Sequence, residues 1–587
     1  MNVLVTALNA QYVHSSLAIR YLKSYCRSAG LEIQTREYTI NHELLDILAD
    51  IYSARPDVVG LACYIWNIEM SLQIACLLKK VLPDAVIVLG GPEVTYGVEE
   101  ILTDHPYIDY IVRGEGEKLF CRLLLNLPDR DSVKTIEGIA CRREDGTVLS
   151  GSPGIITDLD TIPFPYSEQD IVQLKDKIIY YESSRGCPFS CQYCLSSATQ
   201  GVRFFSPERV CKDLERLIAA DVKQVKFVDR TFNAGKEHFL PIVRFLARQP
   251  GRTNFHFEIA ADLLDKEALD AFLEAPAGRF QMEIGVQSTN EPTLAEIRRK
   301  NHWDKIVENV GRIREAGTIH LHLDLIVGLP HESLGQFAQS FNAVFSLKPH
   351  QLQIGFLKLL KGSGIRANAA KHQYRYMDWA PYEVLANARL SYRDVRQLKI
   401  LEAAFNYVYN GGRFHYLIDW LIIRRYKGDA FAFFWDLAGF WEAGGLHLLA
   451  HSPKNLYKHL RDFCASRFSS DLELCLHILK ADALTADQGQ IRPDFLPWNL
   501  DRYAQERNAF WRDEEVVSRY LPQFTFTNWR ELNKRYHIEV FGLNAAAYLL
   551  KQPVPEHKSV AVLFSYDSGT ICFQAIKPND FFKGESI

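Results

Sequence analysis

Residues 184–194 read Ser-Arg-Gly-Cys-Pro-Phe-Ser-Cys-Gln-Tyr-Cys, a C-x3-C-x2-C spacing formed by Cys187, Cys191 and Cys194. Three thiolates this close in sequence can bind one metal centre, and thiolates suit iron–sulfur clusters or zinc. Structural zinc usually takes four protein ligands, and no second Cys-x-x-Cys or nearby Cys/His pair completes such a set. A four-iron cluster with three thiolates leaves one iron open to another molecule. The spacing therefore favours a [4Fe–4S] cluster, with zinc as the alternative.

The triplet directly follows a predicted strand, and strand-helix units continue after it. Apolar runs predict strands at 177–182, 224–229, 254–260, 280–287, 320–327 and 352–358. A helical pattern separates each strand from the next, which is typical of a parallel sheet that binds ligands at the carboxyl ends of its strands. These six βα units fall short of the eight that close a TIM barrel.

Polar residues recur at alternate positions of three of these strands, where they share one face. The residues are Asn254, His256, Glu258, Glu283, Gly285, Gln287, His320, His322 and Asp324. A purely structural barrel fills its interior with branched aliphatic side chains. The pattern therefore predicts a hydrated or liganded interior, and the alternative is an outer face that points to solvent.

Residues 1–150 predict a first α/β domain. Strands are expected at 3–8, 33–38, 58–63, 85–89 and 107–112, with amphipathic helices between them. This order is typical of a doubly wound, flavodoxin-like parallel sheet. A hairpin over 136–142 and 147–150, with an Asp145-Gly146 turn, ends the domain. A linker follows at 151–170, where Pro163 and Pro165 favour extended backbone.

Glycine, proline, aromatic and polar residues follow the predicted strand ends of this first domain. They are Asn9, Tyr12, Tyr64, Trp66, Gly90, Gly91, Pro92, Glu93, Gly114 and Glu115. In open α/β sheets ligands bind in the crevice at these ends, and glycine lets backbone approach a ligand closely. Tight turns alone are the alternative for each glycine loop. Four such loops on one edge favour a binding crevice.

The region 371–587 departs from strand-helix alternation. Helices rich in aromatic residues are expected at 382–397, 414–426, 430–443 and 457–467, with those side chains in a core. A small antiparallel sheet is expected from 536–541, 560–564 and 570–576, with a turn at 567–569. From its place in the chain we expect this region to cap the mouth of the central barrel, which spans 171–370.

Charge and composition limit the partners. The 67 basic and 71 acidic residues give a net charge of −4, so a nucleic-acid partner has little support. No signal peptide and no apolar run of membrane-spanning length is seen, so we expect a cytoplasmic protein without a membrane partner. Nine further cysteines are scattered singly, which favours buried packing over disulfides.

The cysteine triplet, with Tyr193 before its third cysteine, resembles the signature of the radical S-adenosylmethionine (SAM) superfamily. The loops at Gly90-Gly91-Pro92 and 114–117 resemble those of the cobalamin-binding domain at the N-terminus of many radical SAM enzymes. The remainder is similar to an uncharacterised C-terminal extension on one subgroup of these proteins. The resemblance implies an open (β/α)6 barrel.

The resemblance also implies cofactors and sites. It implies a [4Fe–4S] cluster on the three cysteines, and cobalamin at the ten strand-end residues of the first domain. It implies SAM contacts from Tyr193, Asp229, Glu258, Gln287, Ser288 and Arg298. The sequence departs from the family at Asp229-Arg230-Thr231, where Gly-Gly-Glu is usual. Asp-x-His-x-x-Gly is missing from the first domain, so we expect cobalt to lack a protein histidine ligand, and His14 is only a weak candidate.

The implied activity is reductive cleavage of SAM to a 5′-deoxyadenosyl radical and methylation of an unactivated carbon by way of methylcobalamin. We expect a small-molecule or peptide substrate and a reductant such as flavodoxin or ferredoxin. Two alternatives stay open. One is radical chemistry without methyl transfer, such as a rearrangement. The other is a zinc- or cobalamin-binding sensor or scaffold without turnover.

Overall fold

The protein is described from a computed structural model that covers residues 1–198, 201–499, 501–550, 559–566 and 571–582. It divides into two compact units, Met1–Val395 and Arg396–Ile587. The predicted linker 151–170 and its flanking domains thus lie in one unit. Among the described residues, no helix combines the length and apolar character needed to cross a membrane.

The first unit contains two parallel sheets and their helices. Its strands are β1 (Val3–Asn9), β2 (Gln34–Thr39), β3 (Val58–Ala62), β4 (Val86–Gly90), β5 (Tyr110–Val112), β6 (Ile139–Arg142), β7 (Val148–Leu149), β8 (Ile178–Tyr181), β9 (Ser184–Cys187), β10 (Gly201–Phe204), β11 (Gln224–Phe227), β12 (Asn254–Ile259), β13 (Phe280–Gln287), β14 (His320–Val327), β15 (Gln351–Phe356), β16 (Arg375–Tyr376) and β17 (Val384–Ala386). Its helices are α1 (Leu17–Ser28), α2 (Leu44–Ser53), α3 (Ile68–Val81), α4 (Val98–Asp104), α5 (Gly116–Asn126), α6 (Arg130–Lys134), α7 (Glu168–Gln173), α8 (Pro207–Ala219), α9 (Lys236–Arg248), α10 (Lys266–Leu273), α11 (Glu291–Glu296), α12 (Trp303–Ala316), α13 (Leu334–Ser346) and α14 (Gly364–Ala367).

The N-terminal sheet has the strand order β2-β1-β3-β4-β5-β6-β7 in the described residues. β1 to β5 pair in parallel, and the β6–β7 hairpin adds antiparallel strands at one edge. Helices cover both faces, since Leu4 and Val59 belong to one buried cluster and Val5 and Val88 to the other. The predicted doubly wound, flavodoxin-like fold and its closing hairpin are confirmed.

The barrel sheet has the order β15-β14-β13-β12-β11-β8 among the described residues, with every pair parallel. Consecutive units are neighbours, and the edge strands β8 and β15 do not pair with each other in the described part of the chain. The predicted open (β/α)6 barrel is therefore confirmed. Buried aromatic residues such as Phe227, Phe257 and Phe280 pack between this sheet and its helices.

The second unit is mainly helical. Its helices are α15 (from Tyr392 to Phe405, so beginning just before the unit), α16 (His415–Arg424), α17 (Ala430–Ala443), α18 (Pro453–Arg467), α19 (Leu472–Thr485), α20 (Ala504–Arg512), α21 (Glu514–Tyr520), α22 (Trp529–Arg535), α23 (Leu543–Leu550) and α24 (Pro578–Phe581). Strands β18 (Tyr536–Phe541), β19 (Val560–Ser565) and β20 (Cys572–Ala575) form the predicted antiparallel sheet. The expected core role of Phe433, Phe434 and Trp441 is confirmed by their burial.

The helix predicted over 382–397 is wrong in its first half. Residues 384–386 form β17 and pair with β16. The helix begins only at Tyr392, where Ser391 and Asp394 exchange hydrogen bonds as a capping box. The turn predicted at 567–569 lies outside the described residues.

Candidate functional site

The cysteine loop begins at the end of the first barrel strand. β8 is followed by the short hairpin of β9 and β10, and Cys187 is the last residue of β9. Gly186 has a φ of +98°, and a Cβ at this position would overlap the carbonyl oxygen of Gly201 on the paired strand. The hairpin therefore requires glycine directly before the first cysteine. Cys187 Sγ lies 3.6 Å from Thr231 Oγ1, at the end of the next barrel strand.

Asp229 holds the start of this loop. Its Oδ2 accepts a hydrogen bond from the Ser183 backbone N–H at 2.9 Å, and its Oδ1 accepts from Ser183 Oγ at 2.7 Å and from Ser184 Oγ. Burial raises the pKa of Asp229 to about 6 against the opposing effect of these hydrogen bonds. Asp229, predicted as a SAM contact, thus already has protein donors on both oxygens.

Arg299 connects the cysteine loop to β13, the fourth parallel strand of the barrel sheet. Its Nη1 lies 3.8 Å from Cys191 Sγ and 3.3 Å from Tyr193 Oη. Its Nη2 donates to the carbonyl oxygen of Gly285 in β13, and its Nε donates to Asn301 Oδ1 at 3.1 Å. The guanidinium therefore lies between the second cysteine and the carboxyl end of a barrel strand.

Arg298, the arginine predicted for the SAM carboxylate, is exposed and has a φ of +54°. The left-handed residue turns the chain so that its neighbour Arg299, not Arg298, faces the cysteine loop. The role of Arg298 as a SAM contact stays a prediction, and Arg299 is a second candidate in the same basic run. The sequence shows two adjacent arginines. Which of them points toward the cysteine loop depends on the left-handed φ of Arg298.

Gln287 lies at the end of β13 beside this arginine. Its Oε1 is buried and has no hydrogen-bond partner among the described residues. Its amide lies over Gly285, where a Cβ would overlap Gln287 Nε2. A buried amide oxygen without a donor is costly, so it fits a ligand that donates a hydrogen bond there. Ser288, by contrast, donates to Glu332 at 2.5 Å and supports the turn.

The barrel interior is polar, as the strand pattern predicted. Lys226 Nζ and His256 Nε2 lie 3.1 and 3.0 Å from Glu283 Oε2. His256 is on the neighbouring strand β12, and Lys226 reaches Glu283 from β11, on the far side of β12. Burial would raise the pKa of Glu283, but these two groups hold it well below its ordinary value. Burial and the charge of Glu283 raise the pKa of Glu258 to about 7. His256 is buried, so this face is not the solvent-facing alternative.

The glycine loops of the N-terminal sheet have an internal role, which fits the tight-turn alternative stated from the sequence. A Cβ on Gly91 would overlap the Cys63 carbonyl oxygen, and one on Gly114 would overlap that of Gly154. Both have positive φ, +117° and +81°. Their own backbone neighbours therefore account for these glycines. A Cβ on Gly90 would make only ordinary van der Waals contacts, the nearest at 3.7 Å from Val112 Cβ.

Aromatic side chains line the same edge of the N-terminal sheet. Tyr64 and Trp66 stack with ring centroids 4.5 Å apart and an interplanar angle of 4°. Trp66 Nε1 donates to the Leu8 carbonyl at 3.0 Å, although the side chain stays 45% exposed. Tyr12 is 76% exposed. This apolar surface at the strand ends fits a large, flat ligand.

The loops at this edge face the barrel. Arg185, two residues before Cys187, forms ion pairs with Glu115 at 3.3 Å and with Glu117 at 2.5 Å. Tyr382 Oη donates to Glu93 Oε1 at 2.6 Å. His14, the weak candidate for a cobalt ligand, lies 2.7 Å from Tyr180 Oη on the first barrel strand. The predicted cobalamin loops and the cysteine loop are therefore neighbours.

The spacing of the three cysteine sulfurs bears on the metal. They are not among the sets of described residues whose ligand atoms all lie within 4.8 Å of one another. Sulfurs on a single zinc ion, with bonds of about 2.3 Å, would lie about 3.8 Å apart. In the described part of the chain the three sulfurs are thus not arranged as the ligands of one zinc ion.

Three families match successive parts of the chain. The B12 binding domain matches residues 3–124, and the radical SAM superfamily matches residues 181–344. A protein of unknown function, DUF4080, matches residues 370–564. The chain therefore carries a B12-binding domain, a radical SAM domain and a DUF4080 region, which confirms the resemblance that the motifs indicated.

Relatives and solved structures agree with this composition. The cobalamin-dependent radical SAM methyltransferase TokK of Streptomyces tokunonensis is 27% identical over 349 residues, 54% of this chain and 49% of that protein. An anaerobic magnesium-protoporphyrin IX monomethyl ester cyclase of Rubrivivax gelatinosus is 24% identical over 352 residues, 56% of this chain and 62% of that protein. The chain thus spans less than two thirds of either relative. The cobalamin-dependent SAM radical enzyme OxsB, with aqua-cobalamin and SAM bound, shares the fold with a TM-score of 0.58, 15% identity and coverage of 84% and 82%.

Proposed function

We propose that this protein is a cobalamin-dependent radical SAM enzyme that methylates an unactivated carbon of a small-molecule or peptide substrate. One observation carries the proposal. Arg185 and Arg299 join the cysteine loop on one side to Glu115 of the B12-binding domain and on the other to Gly285 at a barrel strand end. These contacts support the proposal that the three cofactor sites lie side by side.

The residues fit the cofactors. Cys187, Cys191 and Cys194 would hold the [4Fe–4S] cluster, and Tyr64 and Trp66 offer an apolar surface to cobalamin. The unpartnered Gln287 Oε1 and the interior carboxyl of Glu258 would accept hydrogen bonds from SAM. When bound, the reduced cluster supplies the electron that cleaves SAM, and cobalamin supplies the methyl group.

The chain's own groups orient these reactants. Burial raises the pKa of the Cys191 thiol. Arg299 places a positive charge beside this thiol, which opposes the effect of burial and favours the thiolate form. Asp229 fixes the backbone that enters the loop through Ser183 and Ser184. The aliphatic core around Ile297 and Leu329 keeps water from the back of Tyr193.

The test uses the full chain purified without oxygen and reconstituted with iron, sulfide and hydroxocobalamin. We expect about four iron atoms and one cobalt atom per chain, and 5′-deoxyadenosine after addition of SAM and dithionite. Cys187→Ala should lose iron and deoxyadenosine, whereas the control Cys211→Ala, at a half-buried cysteine of α8, should keep both. Retained deoxyadenosine in Cys187→Ala would refute the proposal.

A second candidate is radical chemistry without methyl transfer, which the similarity to the Rubrivivax gelatinosus cyclase favours. S-adenosylhomocysteine separates the two, because methylation consumes a second SAM molecule and leaves this product. Deoxyadenosine without S-adenosylhomocysteine, in the presence of a substrate that is turned over, would favour the second candidate. We further propose a cytoplasmic location and a flavodoxin- or ferredoxin-type reductant, which cross-linking to either carrier would test.

A further inference from the structure

A group of two histidines and one carboxylate lies outside the site described above. Glu296 is the last residue of α11, His331 follows the Gly328-Leu329-Pro330 turn after β14, and His372 follows α14. One ligand atom from each lies within 4.8 Å of the other two. His372 Nε2 lies 3.1 Å from Glu296 Oε1, and His331 Nε2 lies 3.4 Å from Glu296 Oε2.

We propose that Glu296, His331 and His372 form a binding site for one divalent transition-metal ion of the zinc class. Two imidazoles and a carboxylate are a common ligand set for such ions, and a fourth position would be left for water. Ligand atoms on tetrahedral zinc, with bonds of about 2.0–2.1 Å, lie about 3.3 Å apart. The nitrogen-to-oxygen separations in this group are close to that value.

The site is preorganised by its neighbours. Thr293 Oγ1 donates to the Pro330 carbonyl at 2.7 Å, and Asn290 Nδ2 donates to the His331 carbonyl at 3.2 Å. Tyr374 Oη donates to the Gly328 carbonyl at 2.8 Å. These bonds hold the three contributing segments together without using the ligand atoms, so a metal ion would meet ligands that are already placed.

His331 adopts a left-handed backbone conformation with a φ of +62°. This conformation is uncommon for a residue other than glycine and costs on the order of 1 kcal/mol. It brings the imidazole to the carboxylate of Glu296. Asparagine adopts the same backbone readily, so His331→Asn removes the imidazole without changing the conformation of this turn.

Lys371 occupies part of the site, since its Nζ pairs with Glu296 Oε1. Its side chain is 57% exposed and can move into solvent when a dication replaces its charge. Nitrogen ligands favour zinc-class ions over magnesium or calcium, which prefer oxygen. A bound ion would tie the turn that leads to Arg299 to the loop after β14.

The test uses full-length protein with its iron reconstituted first, so that the cysteine loop is occupied. Each sample is given excess zinc chloride and desalted, and its zinc and iron are then counted by mass spectrometry. We expect one more zinc atom per chain in the wild type than in His331→Asn or Glu296→Gln. Asparagine tolerates the left-handed backbone, and glutamine keeps the shape of glutamate. The matched control His320→Asn, at an exposed histidine of β14, should bind zinc like the wild type.

Thermal melting gives a second readout. Zinc should raise the melting temperature of the wild type and of His320→Asn, and leave that of the two site variants unchanged. Equal zinc content in wild type and both variants, or an equal shift with magnesium chloride, would overturn the proposal. Iron content reports on the cysteine loop separately, so loss of the proposed radical SAM function and loss of this site give different results.

Discussion

β1 of the N-terminal sheet is buried at each of its seven residues, whereas β13 of the barrel sheet alternates buried and half-buried residues along its length. Both sheets are built from the same strand-helix repeat, and all but the β6–β7 hairpin of the first sheet is parallel. The first is covered by helices on two faces, and the second curves so that one face lines an interior. In a sheet covered on both faces, functional side chains can lie only in the loops at the strand ends. In a curved sheet that lines an interior, they can also lie on the strands.

The largest effect that this comparison predicts follows from a polar residue inside the covered sheet. Val59→Gln in β3 should cost about 3 kcal/mol or more, because Val59 is fully buried and an amide there finds no water. The counterpart Gln281→Val on the interior face of β13 should change stability by less than about 1 kcal/mol. Urea unfolding measures both. A similar loss of unfolding free energy in the two variants would show that the two sheets tolerate polar side chains equally.

Next in size is the effect of the arginine pair at the end of the barrel sheet. Arg299→Lys loses the planar group that contacts Cys191, Tyr193 and Gly285 together, so deoxyadenosine formation should fall by about 30-fold or more. Arg298→Lys, one residue away and exposed, should stay within about twofold. Single-turnover assays measure the difference. A greater loss in Arg298→Lys would support the SAM contact predicted for Arg298 from the sequence.

A smaller effect is expected from pH at the strand residue Glu258. Its pKa is raised to about 7 by burial and by Glu283, and SAM carries a net positive charge. SAM affinity should therefore rise up to about tenfold between pH 6 and pH 8 as the carboxyl ionises. Because the folded carboxyl holds its proton more tightly than the unfolded one, its contribution to stability is present at low pH and lost as pH rises through about 7.

Equilibrium dialysis of SAM against the oxidised protein measures this dependence. Glu258→Gln should bind with an affinity that no longer changes between pH 6 and pH 8. A wild-type profile that stays flat, or a variant that keeps the full dependence, would remove Glu258 from the SAM site.

The smallest effect concerns the contact from a strand-end loop of the N-terminal sheet to the segment after the barrel. Tyr382→Phe removes the hydroxyl that donates to the buried Glu93, and burial already raises the pKa of that carboxyl. We expect a loss of about 1–2 kcal/mol. The double variant with Glu93→Gln should recover part of it, as a double-mutant cycle would measure. Additive losses would mean that the two side chains do not interact.

The sequence by itself determined the architecture and placed three candidate cluster ligands in one loop. Apolar periodicity depends on local patterns, so the strands of both sheets could be predicted. Three cysteines within one short loop stay close in space whatever the rest of the chain does. Alternation of polar residues along β12, β13 and β14 likewise predicted the polar interior, because side-chain direction in a strand follows from position alone.

Tertiary structure decided which of the remaining candidates face the site. Arg299 rather than Arg298 turns inward because of one left-handed residue, and Asp229 binds Ser183 and Ser184 because the hairpin of β9 folds over it. The positive φ of Gly91 and Gly114 serves backbone contacts that join residues far apart in the chain. These outcomes depend on distances between segments that no local pattern encodes, and the same is true of the meeting of Glu296, His331 and His372.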